Sequence, residues 1–245
     1  MAFLVMCGNV GSLGFDLPGE ALAEHPVRRN VYNRMNYVKQ VYGRYPDAVA
    51  LQEVGNYKVK LSPRFDLPAA TDASTYRHTR TDDTNICRGV ATYSDPNGTH
   101  RLDPYDHLSE VTTTIHDYND YKYGSGIVAK RFGLINVYRL IHKGCMDKQA
   151  HLREYIVQQT HRLRKLGIAD VVVQGDFNDP NFSVPNMREL SHPLMVHRHN
   201  AGCSARAIDK VFTNMRKLKI LEVLETMENV QERNEAKDIG QNVCF

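Results

Sequence analysis

Runs of apolar residues alternate along this chain with stretches in which apolar residues recur at helical spacing, and several of the runs end in polar side chains. The clearest run covers 168–174 and leads directly into Gly-Asp-Phe-Asn-Asp at 175–179. A buried strand followed by a carboxylate and a carboxamide places polar groups where α/β proteins usually carry their chemistry. The alternative interpretation of the same residues is an Asx-type turn, which Asp-Pro at 179–180 also favours.

Four other apolar runs each bring one polar side chain to a predicted strand. These side chains are Asn9 after 2–6, Glu53 after 47–52, Tyr138 within 133–139 and Asp209 within 207–212. Polar residues that merely cap turns explain any one of these positions well, but they explain the whole set poorly. The set therefore predicts a composite site built from several strands.

Two segments with helical spacing each precede one of these strands. The first covers 27–45, with Val31, Met35, Val38 and Val41 on its apolar stripe, and the second covers 148–166, with Leu152, Ile156, Leu163 and Leu166. The first predicts the helix of a βαβ unit between strands 2–6 and 47–52, and the second repeats this arrangement ahead of 168–174.

The middle of the chain is predicted to be rich in β-structure, because β-branched residues recur at 89–94, 111–116 and within 125–140. The polar stretch 63–84 is predicted to be a long surface loop. The segment 216–237 fits either a strand or a helix, and 241–245 is expected to be a short closing strand. Together these patterns predict a mixed α/β domain.

Length and composition set only broad limits. With 245 residues the chain is expected to form one domain, 1–245, and 42% hydrophobic and 24% charged residues are typical of a soluble globular protein. A net charge of +3 is compatible with a polyanionic ligand without requiring one. Five scattered cysteines, with no signal peptide and no transmembrane segment, predict reduced thiols and an intracellular location, cytoplasmic or nuclear.

Taken in chain order, the polar positions resemble a known motif series. Asn9, Gln52-Glu53, Tyr138, the Gly-Asp-Phe-Asn at 175–178 and Ile208-Asp209 are similar to the motifs of the endonuclease/exonuclease/phosphatase (DNase I-like) superfamily. The similarity runs from Phe3 to the last predicted strand. It is nearest to the apurinic and non-LTR retrotransposon endonucleases, which have a tyrosine where Tyr138 stands. The resemblance implies a four-layer α/β sandwich: two packed mixed β-sheets flanked by helices, with the site at one end.

The resemblance also implies roles for the site residues. Glu53 and Asp238, assisted by Asn9, would hold Mg²⁺ or Mn²⁺, and carboxylates are ligands that Mg²⁺ prefers. Asp176 would align the attacking water, while Asn178 and Tyr138 would hydrogen-bond the phosphate. Asp209 matches the acid that pairs with a histidine. The simpler alternatives are that Tyr138 caps the core and that Asp209 is a satisfied buried acid.

The end of the chain departs from the family pattern. Where the superfamily has Ser-Asp-His, this chain has Lys237, Asp238 and Ile239, so the carboxylate matches and the histidine is replaced. Three functions remain open. The first is a Mg²⁺-dependent phosphodiesterase, an endonuclease on nucleic acid, and the second is an inactive descendant that binds nucleic acid or serves as a structural module. The third, a lipid or inositol phosphatase, is disfavoured because 203–209 lacks the motif of that branch.

The expected partner is nucleic acid, with DNA favoured over RNA, and no membrane. Basic residues on the two predicted helices could contact phosphates: Arg28, Arg29, Arg34, Arg162, Arg164 and Lys165. Solvated helix faces explain the same charges and are the commoner case. The sequence pattern does not set the oligomeric state.

Overall fold

The computed structural model describes residues 3–9, 26–52, 77–80, 87–94, 99–101, 111–122, 126–139, 146–190, 209–224 and 242–244. Two helices and twelve strands lie within these residues. They are β1 (Val5–Asn9), α1 (Pro26–Tyr42), β2 (Ala48–Gln52), β3 (Arg77–Arg80), β4 (Cys87–Ser94), β5 (Thr99–Arg101), β6 (Val111–Lys122), β7 (Gly126–Tyr138), α2 (Met146–Lys165), β8 (Asp170–Asp176), β9 (Arg188–Leu190), β10 (Asp209–Thr213), β11 (Glu222–Leu224) and β12 (Asn242–Cys244).

The strands form two mixed six-stranded sheets. The first has the order β11-β12-β1-β2-β4-β3 and the second the order β5-β6-β7-β8-β10-β9. β1 and β2 are parallel, with α1 between them in the chain, and β7 and β8 are parallel, with α2 between them. Both predicted βαβ units are therefore confirmed. Their shared direction brings the carboxyl ends of two strands together at one edge of each sheet.

The two sheets pack face to face through small and branched side chains. Val5 and Ala50 of the first sheet belong to one buried cluster with Leu134, Val172 and Val211 of the second. Cys7 is in the same cluster, as expected for a core cysteine. This packing of one apolar sheet face on another confirms the predicted α/β sandwich of two sheets with helices.

Helix α2 covers the outer face of the second sheet. Leu152, Ile156 and Leu163 are buried in a cluster with alternate residues of β7 and β8, as the helical spacing predicts. The helix ends in a Schellman motif: the Gly167 N–H donates to Arg164 O at 2.9 Å and the Ile168 N–H to Leu163 O at 3.0 Å. Gly167 has the positive φ, 78°, that this cap requires.

The apolar stripes are shorter than the sequence predicts. In α2, Leu166 follows the last helical residue and is 55% exposed, so it does not belong to the packed stripe. In α1, Met35 and Val38 are buried but Val41 is 51% exposed. The side chain of Val31 lies outside the described residues. Both exposed residues lie in the last turn of a helix or just beyond it.

The β-structure is more extensive than predicted. Strand β3 lies inside the stretch 63–84, which was expected to be loop throughout, and it pairs with β4. Strand β6 continues to Lys122 rather than ending near 116, and β8 includes Gly175 and Asp176. The undecided segment after 216 contains the strand β11. Among the residues that the structure describes, neither helix is long and apolar enough to cross a membrane.

Candidate functional site

Three of the predicted site residues lie side by side in one row across the second sheet. Tyr138 pairs with Asp176 in the parallel register of β7 and β8, and Asp209 pairs with Asp176 in the antiparallel register of β10 and β8. All three are buried, and Asp176 and Asp209 are only 3% and 6% exposed. Two acids and a phenol that are distant in sequence therefore meet at one edge of the sandwich.

The first sheet contributes Asn9 to the same place. The Asn9 Nδ2 donates a hydrogen bond of 2.9 Å to Asp176 Oδ2, and both residues are buried. Asn9 ends β1 and Asp176 ends β8, so the bond joins the carboxyl ends of two strands in different sheets. The structure thus brings together Asn9, Tyr138, Asp176 and Asp209, which the sequence had picked out one by one.

The second oxygen of Asp176 is held by its own loop. The Asn178 N–H donates to Asp176 Oδ1 at 2.9 Å, which is the Asx turn that the sequence also suggested. Asn178 has φ 49°, a conformation that asparagine tolerates better than most residues. The site and the turn are therefore the same structure, and both carboxylate oxygens of Asp176 are oriented by hydrogen bonds.

Gly175 allows β8 to approach β7 closely just before Asp176. Its φ is 147°, and a Cβ built there would lie 1.9 Å from Val137 O and 2.7 Å from the carbonyl carbon. Backbone atoms cannot move aside as the end of a flexible side chain can. The glycine of the Gly-Asp-Phe-Asn motif is therefore required by the space beside β7.

Arg139, whose role the sequence interpretation missed, binds this loop through its backbone N–H, its carbonyl oxygen and its guanidinium group. Its N–H donates to Asp176 O at 2.8 Å, and its carbonyl accepts from Asn178 Nδ2 at 2.8 Å. Its Nη1 donates to Phe177 O at 3.0 Å and pairs with Asp179 Oδ2 at 2.9 Å. The sequence feature that could have identified Arg139 is a cationic residue directly after a strand-ending tyrosine, inside an otherwise apolar run.

A buried layer of amides lies one step below the row of Tyr138 and Asp176. Asn136 Oδ1 accepts hydrogen bonds from Gln52 Nε2 at 2.6 Å and from Gln174 Nε2 at 2.7 Å. Asn136 Nδ2 donates to Leu51 O at 3.0 Å. These residues belong to β2, β7 and β8, so the amide layer connects the two sheets directly beneath the candidate site.

Of the three metal-binding residues predicted from the sequence, Glu53 and Asp238 lie outside the described residues, as does Ile239, whereas Asn9 lies within them. Within the described part of the chain, no group of three His, Cys, Asp or Glu residues could hold a metal ion. The donor chemistry nevertheless suits a hard cation, because Asp176 and Asp209 place two buried carboxylates in adjacent positions.

The two cationic residues that follow Tyr138 and Asp209 in the chain pair with other acids. Arg139, which follows Tyr138, pairs with Asp179, and Lys210, which follows Asp209, binds Glu189 Oε2 at 3.1 Å. Buried carboxylates are stable only when cations or hydrogen bonds compensate their charge. A divalent cation held by these carboxylates would add to such compensation.

A groove of about 800 Å³ opens at the opposite end of the second sheet. Two contacts join residues of its lining: Arg131 Nε contacts Asp117 Oδ1 at 2.9 Å, and the Tyr118 hydroxyl donates to Asp170 Oδ2 at 2.9 Å. Asp170 begins β8 and Asp176 ends it, so the groove and the row lie at opposite ends of the same strand. The converging acids, rather than this groove, mark the candidate site.

The chain matches no protein-family profile and no curated protein by sequence. Similar solved structures include truncated TDP2 from Caenorhabditis elegans, 14% identical, with a TM-score of 0.55 over 99% of this chain and 98% of that one. The endonuclease domain of TRAS1, a telomere-specific non-LTR retrotransposon, is 10% identical, with a TM-score of 0.53 over 99% of this chain and 97% of that one.

A third similar structure is an endonuclease/exonuclease/phosphatase family protein from Bacteroides thetaiotaomicron, 12% identical, with a TM-score of 0.50 over 98% of this chain and 97% of that one. At such identities the likeness concerns the fold, and it extends over nearly the whole chain. The chain therefore has the DNase I-like fold of the endonuclease/exonuclease/phosphatase superfamily.

Proposed function

We propose that this chain is a divalent-metal-dependent phosphodiesterase that cleaves nucleic acid. The observation that carries the proposal is the convergence of Tyr138, Asp176 and Asp209 in one row, with Asn9 bonded to Asp176 at 2.9 Å. A phosphodiester needs an aligned water and hydrogen-bond donors around its phosphoryl oxygens. Carboxylates, a phenol and carboxamides at one edge of a sandwich supply those groups.

Asp176 is the group that would orient the attacking water and accept its proton. Asn9 and the Asn178 N–H each occupy one of its carboxylate oxygens. A carboxylate has about four acceptor positions, so it can accept several hydrogen bonds at once, including one from a water. The two bonds fix the direction of that acceptor before substrate arrives, which lowers the cost of alignment.

Tyr138 and Asn178 would donate hydrogen bonds to the non-bridging phosphate oxygens, where negative charge develops. Asn178 Nδ2 already donates one hydrogen to Arg139 O, and a carboxamide nitrogen carries a second. Glu53 and Asp238, with the side-chain oxygen of Asn9, would hold Mg²⁺ or Mn²⁺. When bound, that ion would offset charge on the phosphate and on the leaving oxygen.

Nucleic acid is the favoured substrate class because of the motif series and the structural neighbours. The matching TRAS1 structure is named as an endonuclease domain, and the tyrosine at 138 follows the pattern of that branch. DNA is preferred over RNA on the same resemblance. A phosphomonoester substrate is the competing possibility within the superfamily, and it is an explicit outcome of the test below.

The test is nicking of supercoiled plasmid by purified protein, with Mg²⁺, with Mn²⁺ and with excess chelator. Wild type is expected to nick only with metal, and Asp176→Asn to lose nicking while keeping its affinity for DNA. Asp117→Asn removes a half-exposed acid at the opposite end of the sheet and should behave as wild type. Glu53→Ala should abolish the Mg²⁺-induced rise in melting temperature.

Two results would overturn the proposal. If wild type nicks no better than Asp176→Asn at high protein concentration, the chain is an inactive relative, and any DNA binding is its function. Binding that weakens steeply with salt would then indicate phosphate contacts. If wild type releases phosphate from monoesters while leaving plasmid and RNA intact, it is a phosphatase.

A further inference from the structure

We infer that Asn136 is a positioning residue: its carboxamide couples the carboxyl end of β2 to the strands that carry Tyr138 and Asp176. This inference rests on the proposed function, because β2 leads directly into Glu53, the proposed metal ligand. Asn136 would not touch substrate or metal. It would set the separation between the carboxyl end of β2, which leads into Glu53, and Asp176 on the other sheet.

The contacts of Asn136 reach both sheets. Its oxygen accepts from Gln52 Nε2 at 2.6 Å and from Gln174 Nε2 at 2.7 Å. Its nitrogen donates to Leu51 O at 3.0 Å and to Thr92 Oγ1 at 3.5 Å. The two short bonds at the oxygen and the two at the nitrogen use the full hydrogen-bonding capacity of a carboxamide. Such an amide has one orientation that satisfies all partners.

The position of these partners argues for alignment of the site. Asn136 lies two residues before Tyr138, Gln174 two residues before Asp176, and Gln52 immediately before Glu53. Residues two apart on a strand share a face, so the amide layer lies on the same sheet face as the row above it. A displacement of β2 against β7 is therefore transmitted to the proposed catalytic groups.

Stability alone does not require amides at this level of the core. Below it, the sheets pack largely through apolar residues such as Ala50, Leu134 and Val172. Apolar packing tolerates small shifts, whereas a buried hydrogen bond weakens steeply as its geometry degrades. Three buried carboxamides therefore fix the relative position of the two sheets more closely than apolar contacts do. Their burial is unfavourable unless all of their polar groups form hydrogen bonds.

The experiment compares Asn136→Leu with the control Thr213→Val. Leucine has a similar size and forms none of the four bonds. Thr213 is also fully buried in the second sheet, where its hydroxyl donates to Val171 O at 2.8 Å, but it lies at the end of β10 away from Asp209. Both variants lose a buried hydrogen-bonding group, and only one of them contacts β2.

For Asn136→Leu we expect kcat for a defined oligonucleotide to fall by about 10–100-fold while KM stays within about threefold. The Mg²⁺ concentration for half-maximal thermal stabilisation should rise by about 10-fold or more. Thr213→Val should lower the melting temperature and leave both quantities at the wild-type value. If Asn136→Leu does not fold, Gln52→Met removes only one donor to Asn136 and should shift both quantities the same way.

Equal kcat and equal Mg²⁺ response in Asn136→Leu and wild type, measured below both melting temperatures, would overturn the inference. If wild type itself has no activity, the proposed function fails separately, and amide hydrogen exchange then decides the inference. A coupling role predicts faster exchange at Leu51 and Gln52 than at Ala48 and Val49 in Asn136→Leu. Uniform change along β2 would show that Asn136 only stabilises the core.

Discussion

Asn9 Nδ2 and Asp176 Oδ2 are joined by a 2.9 Å hydrogen bond that connects the two sheets across 167 positions of sequence. The bond fixes the carboxylate that we propose to align the attacking water. Charge-assisted hydrogen bonds of this kind are stronger than neutral ones and strongly directional. Substitution of these two residues should therefore be the first to show different effects on activity and on stability.

Asn9→Ala is expected to reduce nicking by about 10–100-fold, because Asp176 loses one of the two donors described above that orient it. The loss in unfolding free energy should be about 1–3 kcal/mol, since a buried acceptor loses a hydrogen bond. Asn214→Ala is the control: Asn214 Nδ2 donates to Ala169 O at 2.7 Å at the far end of β8. Equal activity in Asn9→Ala and Asn214→Ala would contradict the assignment.

Gly175→Ala is expected to be severely destabilising, because its Cβ would collide with the β7 backbone. A loss above about 3 kcal/mol in urea unfolding, or failure to fold, is the expected result. Gly43→Ala provides the control, since Gly43 also has a positive φ, 74°, with no atom within 4 Å of its built Cβ. It should lose only about 1–2 kcal/mol for the left-handed backbone. Similar losses at both glycines would mean that β8 can move away from β7.

Arg139→Met is expected to loosen the loop that follows β8. The substitution leaves Phe177 O and the Asp179 carboxylate without their guanidinium donor, a loss of about 1–3 kcal/mol. Activity should fall as the loop loosens, because the loop carries Asn178. Arg131→Lys alters an exposed ion pair with Asp117 and should change stability by less than about 0.5 kcal/mol. Hydrogen exchange at 176–179 measures the loosening directly, and unchanged protection there would refute it.

His116 should give the fold a pH dependence of known sign. Burial among Phe3 and Phe132 lowers the pKa of His116 from 6.5 to about 3. Between these values the unfolded chain binds a proton that the folded chain does not. Stability from this residue is therefore complete above about pH 6.5 and decreases toward pH 3, by at most about 1.4 kcal/mol per unit.

The difference between wild type and His116→Phe isolates this contribution, since other acids titrate in both proteins. Urea unfolding from pH 7.5 to 3.5 should show a gap between the two proteins that changes as the pH falls below 6.5. A constant gap would mean that the folded protein protonates His116 as readily as the unfolded chain does.

Ile239→His is the expected gain-of-function substitution. By the motif resemblance, it would supply the imidazole that pairs with the acid matched by Asp209, and general acid–base help of this type is worth about 10²–10⁴-fold. Plasmid nicking at fixed Mg²⁺ concentration is the measurement, with Ile239→Gln as a polar control. A folded Ile239→His protein without any gain would show that the replaced histidine does not limit the rate.

Much of this fold could be predicted because its central strands are buried on both faces. Continuous apolar runs mark β2 and β8, and the helices between parallel strands show clear spacing. Edge strands give no such signal: β3 reads Arg-His-Thr-Arg, and its pairing with β4 depends on backbone hydrogen bonds. The three-residue strands β5 and β9 are too short for any period to appear.

The site residues that could be predicted are those that residue type and position in a strand are enough to identify. Asn9, Tyr138 and Asp176 end strands of the two parallel βαβ units, and Asp209 begins a strand antiparallel to β8, so each lies at the same end of its sheet. Arg139 and Asn136 could not be identified from the sequence, because their roles depend on partners far away in sequence. In a strand pattern, a charged residue suggests a strand end and an amide suggests a surface position, yet both of these are buried.

The bond between Asn9 and Asp176 also has a consequence for biosynthesis. At about 5–20 residues per second, the ribosome needs roughly ten to thirty seconds to extend the chain over the 167 positions between them. During that interval β1 lacks β12, its antiparallel neighbour, and the completed strand β8 of the other sheet, which ends at Asp176. The nascent amino-terminal βαβ unit therefore has an open strand edge at β1, and unpaired strand edges favour aggregation until the rest of the chain is made.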